Sequence, residues 1–120
     1  FSSATANAPK DWYVDNVTVV ANSGSTSNTI INGDFESGSS VGWQMYSCDS
    51  ICSASIISST ACLGSTGMCY NNQCTPTSNL QFIEQSFNAT IGVIYNVSFW
   101  LVRGGSGIGA GTDLQVNVYS

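Results

Sequence analysis

Residues 93–102, VIYNVSFWLV, set the tightest limit on what this chain can fold into. Val93, Tyr95, Val97, Phe99 and Leu101 fall on one side of an extended backbone, and Ile94, Asn96, Ser98, Trp100 and Val102 on the other. The first side reads as core. Residues 12–20, WYVDNVTVV, alternate in the same way, with Tyr13, Val17 and Val19 expected inward and Asn16 and Thr18 outward. Further strands are expected at 80–87, 113–119, 41–46 and 53–58, separated by Gly, Ser and Asn turns. No window of a dozen residues carries a helical apolar stripe, so the expected class is all-β, a sandwich or barrel of short strands.

A chain of 120 residues is about one domain long. Its polarity comes from Ser, Thr, Asn and Gly, since only 8% of residues are charged and the net charge is −5. Lys10 and Arg103 are the only basic residues, too few to displace counterions from phosphates, so nucleic acid and anionic membrane surfaces are not expected partners. No apolar run of about 18 residues exists to insert into a bilayer. Phe1 opens without a charged leader, which suggests that a signal peptide has already been removed.

Five cysteines, Cys48, Cys52, Cys62, Cys69 and Cys74, crowd into one segment. The absence of His and of paired C-x2-C clusters favours disulfides over zinc, and disulfides imply an extracellular or cell-surface protein. An odd count leaves one thiol unpaired or bonded to another chain; the pairing is open. N-x-S/T glycosylation sequons stand at Asn16, Asn88 and Asn96, with an N-x-C pattern at Asn72. Asn16 and Asn96 fall on the outward sides of their strands and Asn88 in a turn, where glycans can be carried.

Three stretches, IINGDFESGSSVGW at 30–43, LQFIEQSFNATIGVIYNVSFWLVRGG at 80–105 and DWYVDNVTV at 11–19, together resemble jelly-roll carbohydrate-binding modules of the family 4/9 and galactose-binding-like kind, and related repeats of extracellular surface proteins. The resemblance covers about half of the chain and implies a jelly-roll β-sandwich. It also implies a circular offset, because the family's closing strand, 11–19, here precedes the opening strand at 30–36. The chain then divides into a terminal or donor strand segment, 1–20, a linker, 21–29, and an incomplete sandwich, 30–120, with a disulfide-rich insert at 48–74. The first strand, about 11–20, completes either its own sandwich or a neighbour's. A nine-residue flexible linker spans about 15–18 Å as a coil and about 30 Å extended, which permits both routes.

Passing the strand to a neighbour joins copies head to tail without closing a ring. The expected function is therefore a structural subunit or repeat of an extracellular, glycosylated fibre or coat, with copies of itself as partners. The alternative is a non-catalytic carbohydrate-binding or adhesion module, in which aromatic faces stack on sugars beside amides or acids. Candidate residues are Trp100, Tyr46, Tyr70 and Gln81, while Trp43 reads as a core anchor. The resemblance further implies that Asp15 and Glu36 help to hold a structural Ca²⁺; no other cofactor is expected. The plainer alternative has Asp15 accepting backbone hydrogen bonds and Glu36 solvated. With no His and no nucleophile signature, catalysis is not expected.

Overall fold

The computed structural model describes residues 10–24, 27–47, 52–74, 81–104 and 115–119, with Lys10 and Cys74 described by backbone alone. These residues form six strands: β1 (Lys10–Ala21), β2 (Gln44–Ser47), β3 (Cys52–Ser58), β4 (Met68–Cys74), β5 (Gln81–Glu84) and β6 (Tyr95–Gly104). The one helical element among them is a 3-10 turn at Leu63–Ser65. The fold is all-β. A four-stranded antiparallel sheet of order β3-β4-β1-β6 stands with a two-stranded antiparallel sheet, β2-β5, an arrangement consistent with a β-sandwich.

β1 is an inner strand of the larger sheet, paired with β4 on one side and with β6 on the other. It therefore completes the sheet of its own chain. Its pairing with β6 slips between Asp15 and Thr18, where three steps along β1 oppose two along β6 from Trp100 to Ser98. Asn16 takes the extra position at φ 47°, a left-handed conformation that Asn tolerates better than most residues. This bulge changes which residues face inward. Val14, Val17 and Val19 all enter the core, and Tyr13, expected inward, falls with Asp15 on the opposite face.

The β4 ladder reaches only as far as Val14, so the second half of β1 needs other partners on that side. Segment 28–33 supplies them. Val17 N–H donates to the Gly33 carbonyl (2.8 Å), Val19 N–H to Asn28 Oδ1 (2.8 Å), Asn28 Nδ2 to the Val17 carbonyl (3.1 Å) and Thr29 N–H to the Val19 carbonyl (2.8 Å). A linker expected to be free over 21–29 thus bonds back onto the strand it leaves.

The segment expected to open the sandwich as a strand, 30–36, is instead a series of turns. Asn32 (φ 52°) and Phe35 (φ 56°) are both left-handed, and two such residues three apart interrupt regular extended pairing. Asn32 Nδ2 donates to the Ser39 and Val41 carbonyls (2.9 and 3.3 Å), and the Asn32 backbone carbonyl accepts Trp43 Nε1–H (2.9 Å). These bonds drive Phe35 into the core, wholly buried, with Trp43 at 5.4 Å and Tyr70 at 6.3 Å between ring centroids. Trp43 is thus a core anchor.

On β6, Tyr95, Phe99 and Leu101 pack against the core, as their alternation requires; Val97, expected with them, is 41% exposed where it borders the open space between the sheets, and Asn96, Ser98 and Trp100 are exposed. The strand expected at 53–58 is present as β3, whereas β4, at the end of the same cysteine-rich segment, has no counterpart among the expected strands. Residues 115–119 form no strand, and residues 113–114 of that expected strand lie outside the described residues.

Gly33 carries the approach of segment 28–33 to β1, because a Cβ there would overlap the Val17 carbonyl. Gly33→Ala is expected to destabilise the fold by about 3 kcal/mol. Urea unfolding checks this, and an unchanged midpoint would show that the segment can move aside at no cost.

Candidate functional site

Three features could carry function: an acidic and disulfide-bonded corner on the outer face of the large sheet, an aromatic pair on the small sheet, and an apolar slot between the sheets. The corner follows from the bulge, which turns Asp15 away from the core. Although it points outward, Asp15 is only 4% exposed, because the turn at 59–66 lies over it. Asp15 Oδ1 accepts the Asn16 N–H (2.6 Å) and Oδ2 the Leu63 N–H (2.9 Å). A disulfide between Cys62 and Cys69, with Cα atoms 5.4 Å apart, ties that turn to β4. Closing so short a loop stabilises the fold by about 2–3 kcal/mol through the unfolded chain. Cys52 is also disulfide-bonded, whereas Cys48 and the side chain of Cys74 lie outside the described residues.

Glu36 belongs to the same corner. Its Oε1 accepts the Met68 N–H (2.9 Å) at the start of β4, and Gly67 leaves room for the carboxylate. Asp34 and Glu36 both lie close enough to act electrostatically on Asp15. Burial raises the Asp15 carboxyl above its ordinary value; the two backbone N–H donors lower it, and the neighbouring negative charges add to the rise. These oxygens serve as hydrogen-bond acceptors for backbone, and among the described residues no group of three or more His, Cys, Asp or Glu comes together to hold a metal.

The aromatic candidates separate. Trp100 is 42% exposed on the outer face of β6, directly across from Asp15. Tyr46 is 48% exposed on β2 and stands across from Phe82 of β5, 38% exposed. Gln44 and Glu84, paired on the same face, flank the two rings. The Tyr46 hydroxyl donates to Gln44 Oε1, and its pKa is raised by partial desolvation and then by the Glu84 charge and hydrogen bond. Tyr70 and Gln81 are wholly buried, with Asn72 beside the Tyr70 hydroxyl and neither amide atom of Gln81 hydrogen-bonded. Of the sequons, Asn16, Asn88 and Asn96 are exposed, and Asn72 is wholly buried.

The slot lies where the small sheet stops. It encloses about 960 Å³ between the sheets and is walled by Val17, Val19, Phe87, Val97 and Phe99 among others, with residues 115–119 along it. One edge of β5 is bonded to β2, and no strand pairs with its other edge among the described residues. One end is tied by a reciprocal amide pair, Ile31 N–H to Gln85 Oε1 (2.6 Å) and Gln85 Nε2 to the Ile31 carbonyl (2.9 Å). The sequence carries no signal for the slot's walls, since they come from four separated strands and the segments between them.

No family model, curated protein or solved structure matches the chain. Among the described residues no helix is long and apolar enough to cross a membrane.

The Asp15 corner generates a pH test. A carboxyl whose folded pKa lies above its unfolded value binds its proton more tightly in the folded state. Its contribution to stability is therefore most favourable at low pH and declines as pH rises from about 3.8 through the raised folded value. Asp15→Asn is expected to flatten that part of the stability profile in urea unfolding at a series of pH values. An identical slope in wild type and variant would assign the dependence to other groups.

Proposed function

We propose that the chain is a structural subunit of an extracellular, glycosylated fibre or coat, built from jelly-roll sandwiches that join head to tail by passing a β-strand from one copy to the next. The observation that carries this reading is the mismatch between the sheets. Four strands stand with two, and the apolar slot opens beside an edge of β5 that no described strand pairs. An unpaired strand edge next to exposed apolar side chains is costly to leave open and is a template for another strand. β1 is bonded within its own sheet on both sides. The donor in this reading is therefore the segment 115–119, QVNVY, of a neighbouring copy. Its Val116 and Val118 lie along the slot of their own chain yet remain 49% and 73% exposed, alternate as a strand requires, and become more deeply buried on pairing with β5 of a neighbour. Such a contact is head-to-tail and need not close, so it grows into a filament. The disulfides are consistent with an oxidising, extracellular setting.

The full chain is expected to form regular filaments at high concentration, visible by electron microscopy and as rising light scattering. Val118→Asp is expected to abolish them while leaving monomer stability within about 0.5 kcal/mol, since the side chain is largely exposed in the monomer. A wild-type chain that stays monomeric at millimolar concentration would count against the reading. So would a Val118→Asp chain that still forms filaments.

A second reading, a non-catalytic carbohydrate-binding module, is favoured by the exposed Tyr46–Phe82 pair with Gln44 and Glu84 beside it. Adjacent aromatic faces take the C–H side of a pyranose while an amide and a carboxylate take its hydroxyls. Under this reading a monomer binds saturably to a glycan array, and Tyr46→Ala lowers affinity at least tenfold. Undiminished retention of the variant would rule this surface out.

A further inference from the structure

We propose that Trp100 is the platform on which the first sugars of a glycan on Asn16 pack, so that one face of the β1–β6 ladder is completed by carbohydrate. The inference rests on the glycosylated reading above and goes beyond it by naming which glycan meets which side chain.

Trp100 needs an explanation because a large aromatic ring, 42% exposed, stands on the outer face of a strand whose inner face already supplies the core. Its cross-strand neighbour is Asp15, and the next residue of β1 is Asn16, the extra residue of the bulge. Directly opposed residues in an antiparallel ladder stand about 5 Å apart and diagonal ones about 7–8 Å. Asn16 is exposed, and it follows directly in β1 the residue that pairs with Trp100, at the point where the ladder shifts register. A sugar joined to its amide meets that ring within the length of one or two residues of glycan.

The other sequons are placed differently. Asn96 shares the outer side of β6 with Trp100 but lies four residues away, about 13 Å along the strand. It pairs with Val20, towards the far end of the ladder. Asn88 lies in the loop between β5 and β6. The hydroxyls that complete the Asn16 and Asn96 sequons, Thr18 Oγ1 and Ser98 Oγ, face each other across the ladder at 2.7 Å. The two glycans therefore leave the same face on opposite sides of that pair, and only the one on Asn16 leads towards the tryptophan. A pyranose packs its C–H side against an aromatic face, which shields Trp100 from water without a protein partner.

The test uses the full chain secreted from a eukaryotic host. Peptide mass mapping is expected to find Asn16 modified. A bare Asn16 with glycans at Asn88 or Asn96 overturns this proposal alone, whereas three bare sequons remove the glycosylated reading as well. Asn16→Gly keeps the left-handed backbone and deletes the sequon. It is expected to lower the melting temperature by about 3–6 °C when Trp100 is present and by much less in a Trp100→Leu background. Equal losses in the two backgrounds overturn the proposal. Should Trp100→Leu fail to fold, acrylamide quenching of tryptophan fluorescence decides. Quenching is expected to rise in Asn16→Gly and to stay at the wild-type level in Asn96→Gln; a rise in neither, or only in Asn96→Gln, overturns the assignment.

Discussion

The architecture depends on one residue inserted into β1. Without the bulge at Asn16 a strand of strict alternation could not send both Val14 and Val17 into the core, because they are three residues apart. The left-handed turn at Asn16 absorbs the odd step. It gives the core three valines from a single strand and turns Asp15 outward, where its carboxylate fixes the turn that Cys62 and Cys69 tie down. The same residue separates the part of β1 that pairs with β4 from the part served by segment 28–33. Core, corner and edge are consequences of one local conformation.

That division explains why the two sheets are unequal. Residues 30–36, which could have added a strand, are used in turns that press Phe35 and Trp43 into the core and in bonds that finish β1. Among the described residues the small sheet holds β2 and β5, and the space beside β5 is lined with side chains from the core itself. The outer face of β1–β6 has the opposite character. It bears Thr18, Ser98, Asn96 and Asn16, with polar groups paired across the ladder and a single exposed ring. Under the proposed readings the slot side takes a strand and the outer face of β1–β6 takes carbohydrate, and neither use obstructs the other.

How far the sequence discloses this depends on how strongly each segment is constrained by one-sided burial. β6 and β1 are legible because an apolar residue recurs at every second position over most of their length. The bulge is not legible, since Asp-Asn-Val reads equally well as continued alternation, and Tyr13 is assigned to the wrong face as a result. β4, MCYNNQC, hides because two of its buried positions are Asn71 and Asn72, so burial and hydropathy part company there. The N-G-D-F-E stretch suggests an opening strand. Its Asn and Gly instead serve a left-handed turn and a close approach to the Val17 carbonyl, and only the buried Phe keeps the role expected of it.

The candidate site shows the same limit from the chemical side. Asp15 and Glu36 are brought into one corner, yet the partners that define their chemistry, Leu63 N–H and Met68 N–H, are backbone groups far along the chain. No residue type advertises a backbone donor, so the hydrogen bonds these two acids accept could not be read from their place in the sequence. Tyr46 presents the converse case. An isolated tyrosine in sequence becomes a two-ring surface only because the β2–β5 register sets Phe82 opposite it and Gln44 opposite Glu84. Function in a chain so poor in charge is written in pairings rather than in residues, and it becomes readable once the ladders are known.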